Sequence, residues 1–119
     1  MITEDYVSFE IAKLLKEKGF DEKCTHYYKN EKYLVDLGYT NIHSYTNSNL
    51  VEEYAAPTLQ MAMKWLREMH HITIGITFSL DIITYEIHKD KKFIIAVGSS
   101  RSYENMIEEA IKCCLENLV

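Results

Sequence analysis

The residues whose types and spacing could do chemistry fall in four places. Cys24 and His26 stand two apart in CTHYY (24–28), a stretch that reads as a strand, so their side chains share one face. Zinc or copper could take both, but a site needs two more ligands. His43, His70, His71 or His88 would have to converge from elsewhere, and no Cys-x-x-Cys or His-x-x-x-His spacing supplies them. The expectation is a buried cysteine beside a surface histidine, with no metal. Cys113 and Cys114 are consecutive on a helix, so their side chains diverge by about 100° and make poor joint ligands or redox partners. Cys114 suits the core and Cys113 a helix flank. Nucleophilic chemistry by Cys24 would require a histidine in spatial contact. Glu52–Glu53 and Glu108–Glu109 are adjacent in sequence and point apart, which suits solvated faces better than acid–base work. No phosphate-binding Walker pattern, dinucleotide-binding glycine fingerprint or nucleophile elbow occurs. No residue is therefore assigned a catalytic role, and no cofactor is implied.

Two weaker features point to binding. In VGSSRSYENM (97–106) a strand ends, Gly98 permits a turn, and Ser99, Ser100, Arg101 and Ser102 precede a helix. Free amides and the dipole at a helix amino terminus attract anions, so this loop is a candidate phosphate or sulfate site. Its plainer reading is capping plus a solvated arginine. Seven of the nine tyrosines fall in the first 54 residues, several among Ser, Asn and Thr. Tyrosine in such company offers rigid, amphipathic contact area. Tyr27, Tyr28, Tyr39, Tyr45 and Tyr54 are the candidates for an interaction surface, and about half of the group is expected to pack a core instead.

Composition sets the frame for these features. A chain of 119 residues is one domain by length, spanning 1–119, and is long enough for a core without staples. Its formal net charge of −5, with eleven lysines and only Arg67 and Arg101, argues against a general nucleic-acid binder. Lys89, Lys91 and Lys92 read as a solvated hairpin tip. Three cysteines make no disulfide framework and suit a reducing compartment. MITEDYVSFE lacks the basic start and apolar stretch of a secretory signal. The longest aliphatic run, FIIAV at 93–97, is far short of a membrane span. A cytoplasmic protein with no membrane partner is expected.

The elements that must position these residues follow from periodicity. Ser8 caps a helix over Phe9–Lys18, with Val7 and Ala12 as a hydrophobic staple, Gly19 as the left-handed stop and Phe20 folding back. CTHYY and KYLVDL (32–37) read as strands around a KNE turn. GYTNIHSYTNSNLVEEY (38–54) reads as an irregular polar loop containing at most a short strand. Pro57 and Thr58 open a helix carrying Leu59, Ala62, Met63, Leu66 and Met69 in one apolar stripe, with Trp65 packed beside it. His70 and His71 fall in its last turn. ITIGITFSL (72–80) then alternates with period two, as does IITYEIH (82–88), where Ile83, Tyr85 and Ile87 face inward. KFIIAV (92–97) is apolar on both faces, so it is expected at the centre of a sheet or under another element. Behind Ser102, a last helix should bury Met106, Ile107, Ala110, Cys114 and Leu118. Glu104, Glu108, Glu109, Lys112 and Glu116 should point outward.

Three stretches together resemble a family of small proteins found in phages and prophages of Bacteroides-type gut bacteria. They are GFDEKCTHYY (19–28), YAAPTLQMAMKWLREMHHI (54–72) and SYENMIEEAIKCCLENLV (102–119), about half of the chain. The Lys64, Trp65, Leu66, Arg67, Glu68 string is the most specific part, and the polar middle loop departs from the pattern. The resemblance implies no activity, cofactor or catalytic residue. What it implies is a setting, that of an intracellular accessory protein of mobile-element origin.

The fold expected is α+β, a small and mostly antiparallel sheet with about three helices packed mainly on one face. The function expected is contact with another protein rather than catalysis. A second copy of the chain is the foremost candidate partner, paired through a strand edge of 72–88 or through the tyrosine-bearing half. The alternative is a small-ligand or anion-binding protein that uses the 98–102 loop.

Overall fold

Ser8 starts the first helix as its sequence suggests. Its hydroxyl accepts from the Ile11 amide at 3.3 Å, and α1 runs over Phe9–Glu17. The helix ends in a Schellman motif: the Gly19 amide bonds Lys16 O at 3.2 Å and the Phe20 amide bonds Leu15 O at 2.9 Å. Gly19 has φ +91°, a conformation that a Cβ would strain, and Phe20 folds back to bury against Leu15. In the computed structural model, which describes residues 5–31, 33–36, 46–50 and 52–119, the chain divides into two compact units, Met1–Thr58 and Leu59–Val119.

In the first unit, β1 (His26–Asn30) is central, with β2 (Tyr33–Asp36) and β3 (Tyr54–Ala55) antiparallel on either side. β1 begins two residues later than the expected CTHYY strand, and its register with β2 shifts between Tyr28 and Asn30. Val7, Ile11, Ala12, Leu15, Phe20, Cys24, Leu50, Ala55 and Ala56 are among its buried apolar residues. Asn47–Asn49 make a short 3-10 turn within the stretch expected to be irregular, and 38–45 of that stretch lie outside the described residues.

In the second unit, α2 (Leu59–His70) and α3 (Tyr103–Asn117) pack on the antiparallel sheet of β4 (Ile72–Ser79), β5 (Ile82–Lys89) and β6 (Lys92–Ser99). Directly opposed residues share a face, and Ile74–Ile87, Ile76–Tyr85, Phe78–Ile83 and Val97–Tyr85 make up the helix-covered one. The other face, with Thr73, Gly75, Thr77, Ser79, Glu86 and Ala96, is exposed. The core joins Ile72, Tyr85 and Ile87 to Leu59, Ala62, Trp65 and Leu66 of α2 and to Met106, Ile107, Ala110, Ile111, Cys114 and Leu115 of α3. The α+β class holds, and among the described residues the strands form two antiparallel sheets of three.

Several local expectations are corrected. Trp65, 6% exposed, packs in the core as its place beside the stripe suggests, but Met69 in the last turn is 60% exposed. Ile111 and Leu115 join the buried face of α3, and Leu118 is only half-buried. The largest correction concerns β6, which is an edge and not the centre. Two-residue turns at Leu80–Asp81 and Asp90–Lys91 join β4 to β5 and β5 to β6. A tight hairpin makes consecutive strands neighbours, so connectivity places β5 in the middle whatever the hydrophobicity of β6.

Candidate functional site

The 98–102 loop is built by close packing and capping. Gly98 lies within β6, where a Cβ would come within 3.1 Å of Thr84 Oγ1 and 3.3 Å of an Ile82 methyl, so a larger residue would need those side chains to give by a few tenths of an ångström. Ser99 Oγ accepts from the Arg101 amide at 3.3 Å, and Ser102 Oγ accepts from the Asn105 amide at 3.2 Å. The Met106 amide bonds Ser102 O at 3.0 Å, completing the first turn of α3. Ser100 is exposed. Two of the serines therefore serve the backbone.

Arg101 is not left to solvent. Its guanidinium pairs with Glu109 Oε1 at 2.5 Å and reaches Met106 Sδ at 3.9 Å. Glu109, expected to point outward, turns in beside Tyr85, the buried tyrosine of the central strand. Burial and then the Glu109 carboxylate push the Tyr85 hydroxyl up to about 12. Glu109 Oε2 is itself buried and has no hydrogen-bond partner among the described residues. With both side chains partly exposed, the ion pair contributes about 0–1 kcal/mol. An anion at 98–102 would have to compete with Glu109 for Arg101.

The candidate tyrosines are partly internal. Tyr28 donates its hydroxyl to Val7 O at 2.7 Å, and Tyr28 and Tyr54 meet Phe9 edge-on at 5.7 and 5.5 Å. Lys16 Nζ sits 5.2 Å from the centre of the Tyr54 ring. These contacts fix both rings half-buried around α1, and Tyr27 is half-buried on β1. Tyr39 and Tyr45 lie outside the described residues.

Cys24 and His26 do not meet. Cys24 is buried, with its thiol directed to Glu22 O at 3.6 Å, while His26 lies against the Tyr6 ring at 3.9 Å and bonds Thr25 Oγ1. Burial, then the Glu22 charge, pushes the Cys24 thiol up to about 12; burial, then Cys113, does the same for Cys114. Neither is a ready thiolate. Among the described residues, no three His, Cys, Asp or Glu side chains gather as a metal-binding group. His43 lies outside the described residues.

A feature that periodicity does not reveal is exposed apolar surface on the second unit. Phe93 is 59% exposed on β6, with Ile94 and Ile95 also open. At the far end of the sheet, Leu80 is fully exposed in a left-handed turn position (φ 49°), between exposed Phe78 and Ile82. The Phe78 ring stacks on Tyr103 at 5.8 Å. The two-residue turn lengths are the signal in the sequence that marks β6 as an edge. Comparison with family models, curated proteins and solved structures finds no match to this chain. Among the described residues, no helix is long and apolar enough to cross a membrane.

Proposed function

We propose that this chain is an interaction domain rather than an enzyme, that its contact surface is the open β6 edge, and that its partner is a second copy of itself. The observation that carries the reading is an eight-residue edge strand with Phe93, Ile94 and Ile95 exposed. Such an edge offers unpaired backbone groups and apolar side chains together, and proteins ordinarily blunt it with charge, proline or a bulge. Here no charged residue or proline lies between Lys92 and Arg101, and the one irregularity, between Phe93 and Ile95, leaves Ile95–Ser99 in regular register with β5. Antiparallel pairing about a two-fold axis at Ile95 would set Phe93 opposite Val97, and Lys91 and Lys92 opposite Ser99 and Gly98. No like charges would face each other across the seam.

The resemblance of 19–28, 54–72 and 102–119 to phage and prophage proteins supports a mobile-element origin, and the free cysteines support work in the cytoplasm. The alternative of an anion-binding protein using 98–102 is weaker, because Glu109 already holds Arg101.

Sedimentation across roughly a hundredfold concentration range tests the dimer. The mass should rise from 14.0 kDa toward twice that value. Phe93→Lys combined with Ile94→Lys should keep it at the monomer value with unchanged circular dichroism. A wild-type mass constant at 14.0 kDa would overturn the proposal.

A further inference from the structure

At the end of the second unit away from the 98–102 loop, α2 gives way to β4 beside the β5–β6 turn. An open pocket of about 390 Å³ lies there, lined by Arg67, His71, Thr73, Asp90 and Lys91. We infer that this pocket binds an anion, and that the chemistry of its lining fits a phosphate monoester.

The first ground is the contrast between the two arginines. Arg101 is held by Glu109. Arg67, one turn before the end of α2, is exposed, and among the described residues its side chain has no hydrogen-bond or ion-pair partner. The same is true of His71 and Lys91. Three residues with nitrogen-bearing side chains, from α2, its exit and the β5–β6 turn, thus line one pocket together with Thr73 of β4. Donors from different directions suit a tetrahedral oxyanion better than a planar carboxylate, and the arginine fork can grip two of its oxygens.

The second ground is backbone conformation. His71, Asp90 and Lys91 have φ of 57°, 52° and 68°, three of the four non-glycine left-handed residues among those described. Glycine or asparagine normally fills such positions. The Asp90 amide bonds His71 O at 3.0 Å, tying the helix exit to the hairpin turn and holding the two walls together. Asp90 and Lys91 take these angles as the two central residues of the hairpin turn, and His71 takes its own at the exit of α2, so the backbone fixes where the three residues stand.

Two features oppose an anion, and both are outweighed. Asp90 contributes one negative charge, and the carboxyl end of α2 about half of one. Arg67 and Lys91 contribute two positive charges. The His71 carbonyl is also occupied by the Asp90 amide. On a chain of net charge −5, the pocket is a local positive site.

The experiment is titration of the full chain with inorganic phosphate at constant ionic strength, followed by backbone amide NMR, with acetate as a parallel arm. The resonances of His71, Thr73, Asp90 and Lys91 should move first, and phosphate should bind more tightly than acetate. Arg67→Gln and Lys91→Gln, both at exposed positions, should each weaken phosphate binding about tenfold while leaving the other resonances in place. Acetate binding as tightly as phosphate would overturn the choice of ligand. Unmoved resonances, movement confined to 99–102, or equal affinity in Arg67→Gln would overturn the site. Lys91 also stands at the end of the proposed dimer seam, so Arg67→Gln, which lies outside that seam, separates the failure of this site from that of the dimer.

Discussion

In Met1–Thr58, polar side chains close on the backbone. Asn47 is buried, donating to Phe20 O at 2.7 Å and accepting from the Ala55 amide at 2.9 Å. Lys16 Nζ reaches Leu50 O at 3.0 Å and Glu53 O at 2.9 Å, while both carboxylate oxygens of Asp21 accept from Ser48. In Leu59–Val119, Arg67, His71 and Lys91 face water, and so do the apolar side chains of β6. Strand length explains the difference. The first sheet has strands of five, four and two residues, too short for their ladders to satisfy the connecting segments, so side chains supply the missing partners. The second sheet has three strands of eight residues joined by two-residue turns, which satisfy most of their own backbone. Side chains freed from that duty are available for contact with other molecules.

The largest expected effect lies in the core of the second unit. Trp65→Ala should cost about 3–5 kcal/mol, the range for large aromatic deletions, read from the urea midpoint. As the only tryptophan, Trp65 should fluoresce at short wavelength and resist iodide quenching. Free quenching in the folded protein would transfer it from the core to the set of contact side chains and blur the contrast between the units.

The first unit should respond to loss of a polar group instead. Asn47→Ala leaves the Phe20 carbonyl and the Ala55 amide without their buried partner and should cost about 2–3 kcal/mol. A loss no greater than that of an ordinary surface substitution, about 0.5 kcal/mol, would show that the backbone there manages without side-chain help.

The smallest effect is a pH dependence. The Ser48 hydroxyl, then the Ser48 amide, hold the Asp21 carboxyl below its ordinary value of 3.8. A carboxyl lowered in the folded state adds stability that is present at neutral pH and is lost as pH falls through the folded value. The margin of wild type over Asp21→Asn should therefore be widest near neutrality and shrink as pH falls below the ordinary value of 3.8. A margin that stays constant through that window would mean that Ser48 does not favour the charged form.

Short-range chemistry is legible in the amino-acid order. Ser8, Gly19 and Phe20 mark both ends of α1, Ser102 marks the start of α3, and the alternation through 72–88 marks a hairpin with Tyr85 and Ile87 inward. Each of these depends on residues within a few positions of one another, where sequence distance stands in for spatial distance. The candidate site is far less legible. By sequence Arg101 looks available because Glu109, eight residues on, looks solvent-facing; only the packing of α3 on β5 turns that carboxylate toward Tyr85 and the guanidinium. Tyr28 and Tyr54 likewise look like contact residues, and it is their meeting with Phe9 that makes them partly internal.

The sequence by itself determined the α+β class, the caps, the left-handed stop at Gly19 and the inward face of the central hairpin. It also set a net charge of −5 with only two arginines. The tertiary structure alone decided that Glu109 turns in to hold one arginine, that the other arginine opens onto a pocket, and that His71 shares that pocket with Lys91. The physical reason is common to all three. Each is a contact between groups distant along the chain, set by strand connectivity and helix packing rather than by any local preference.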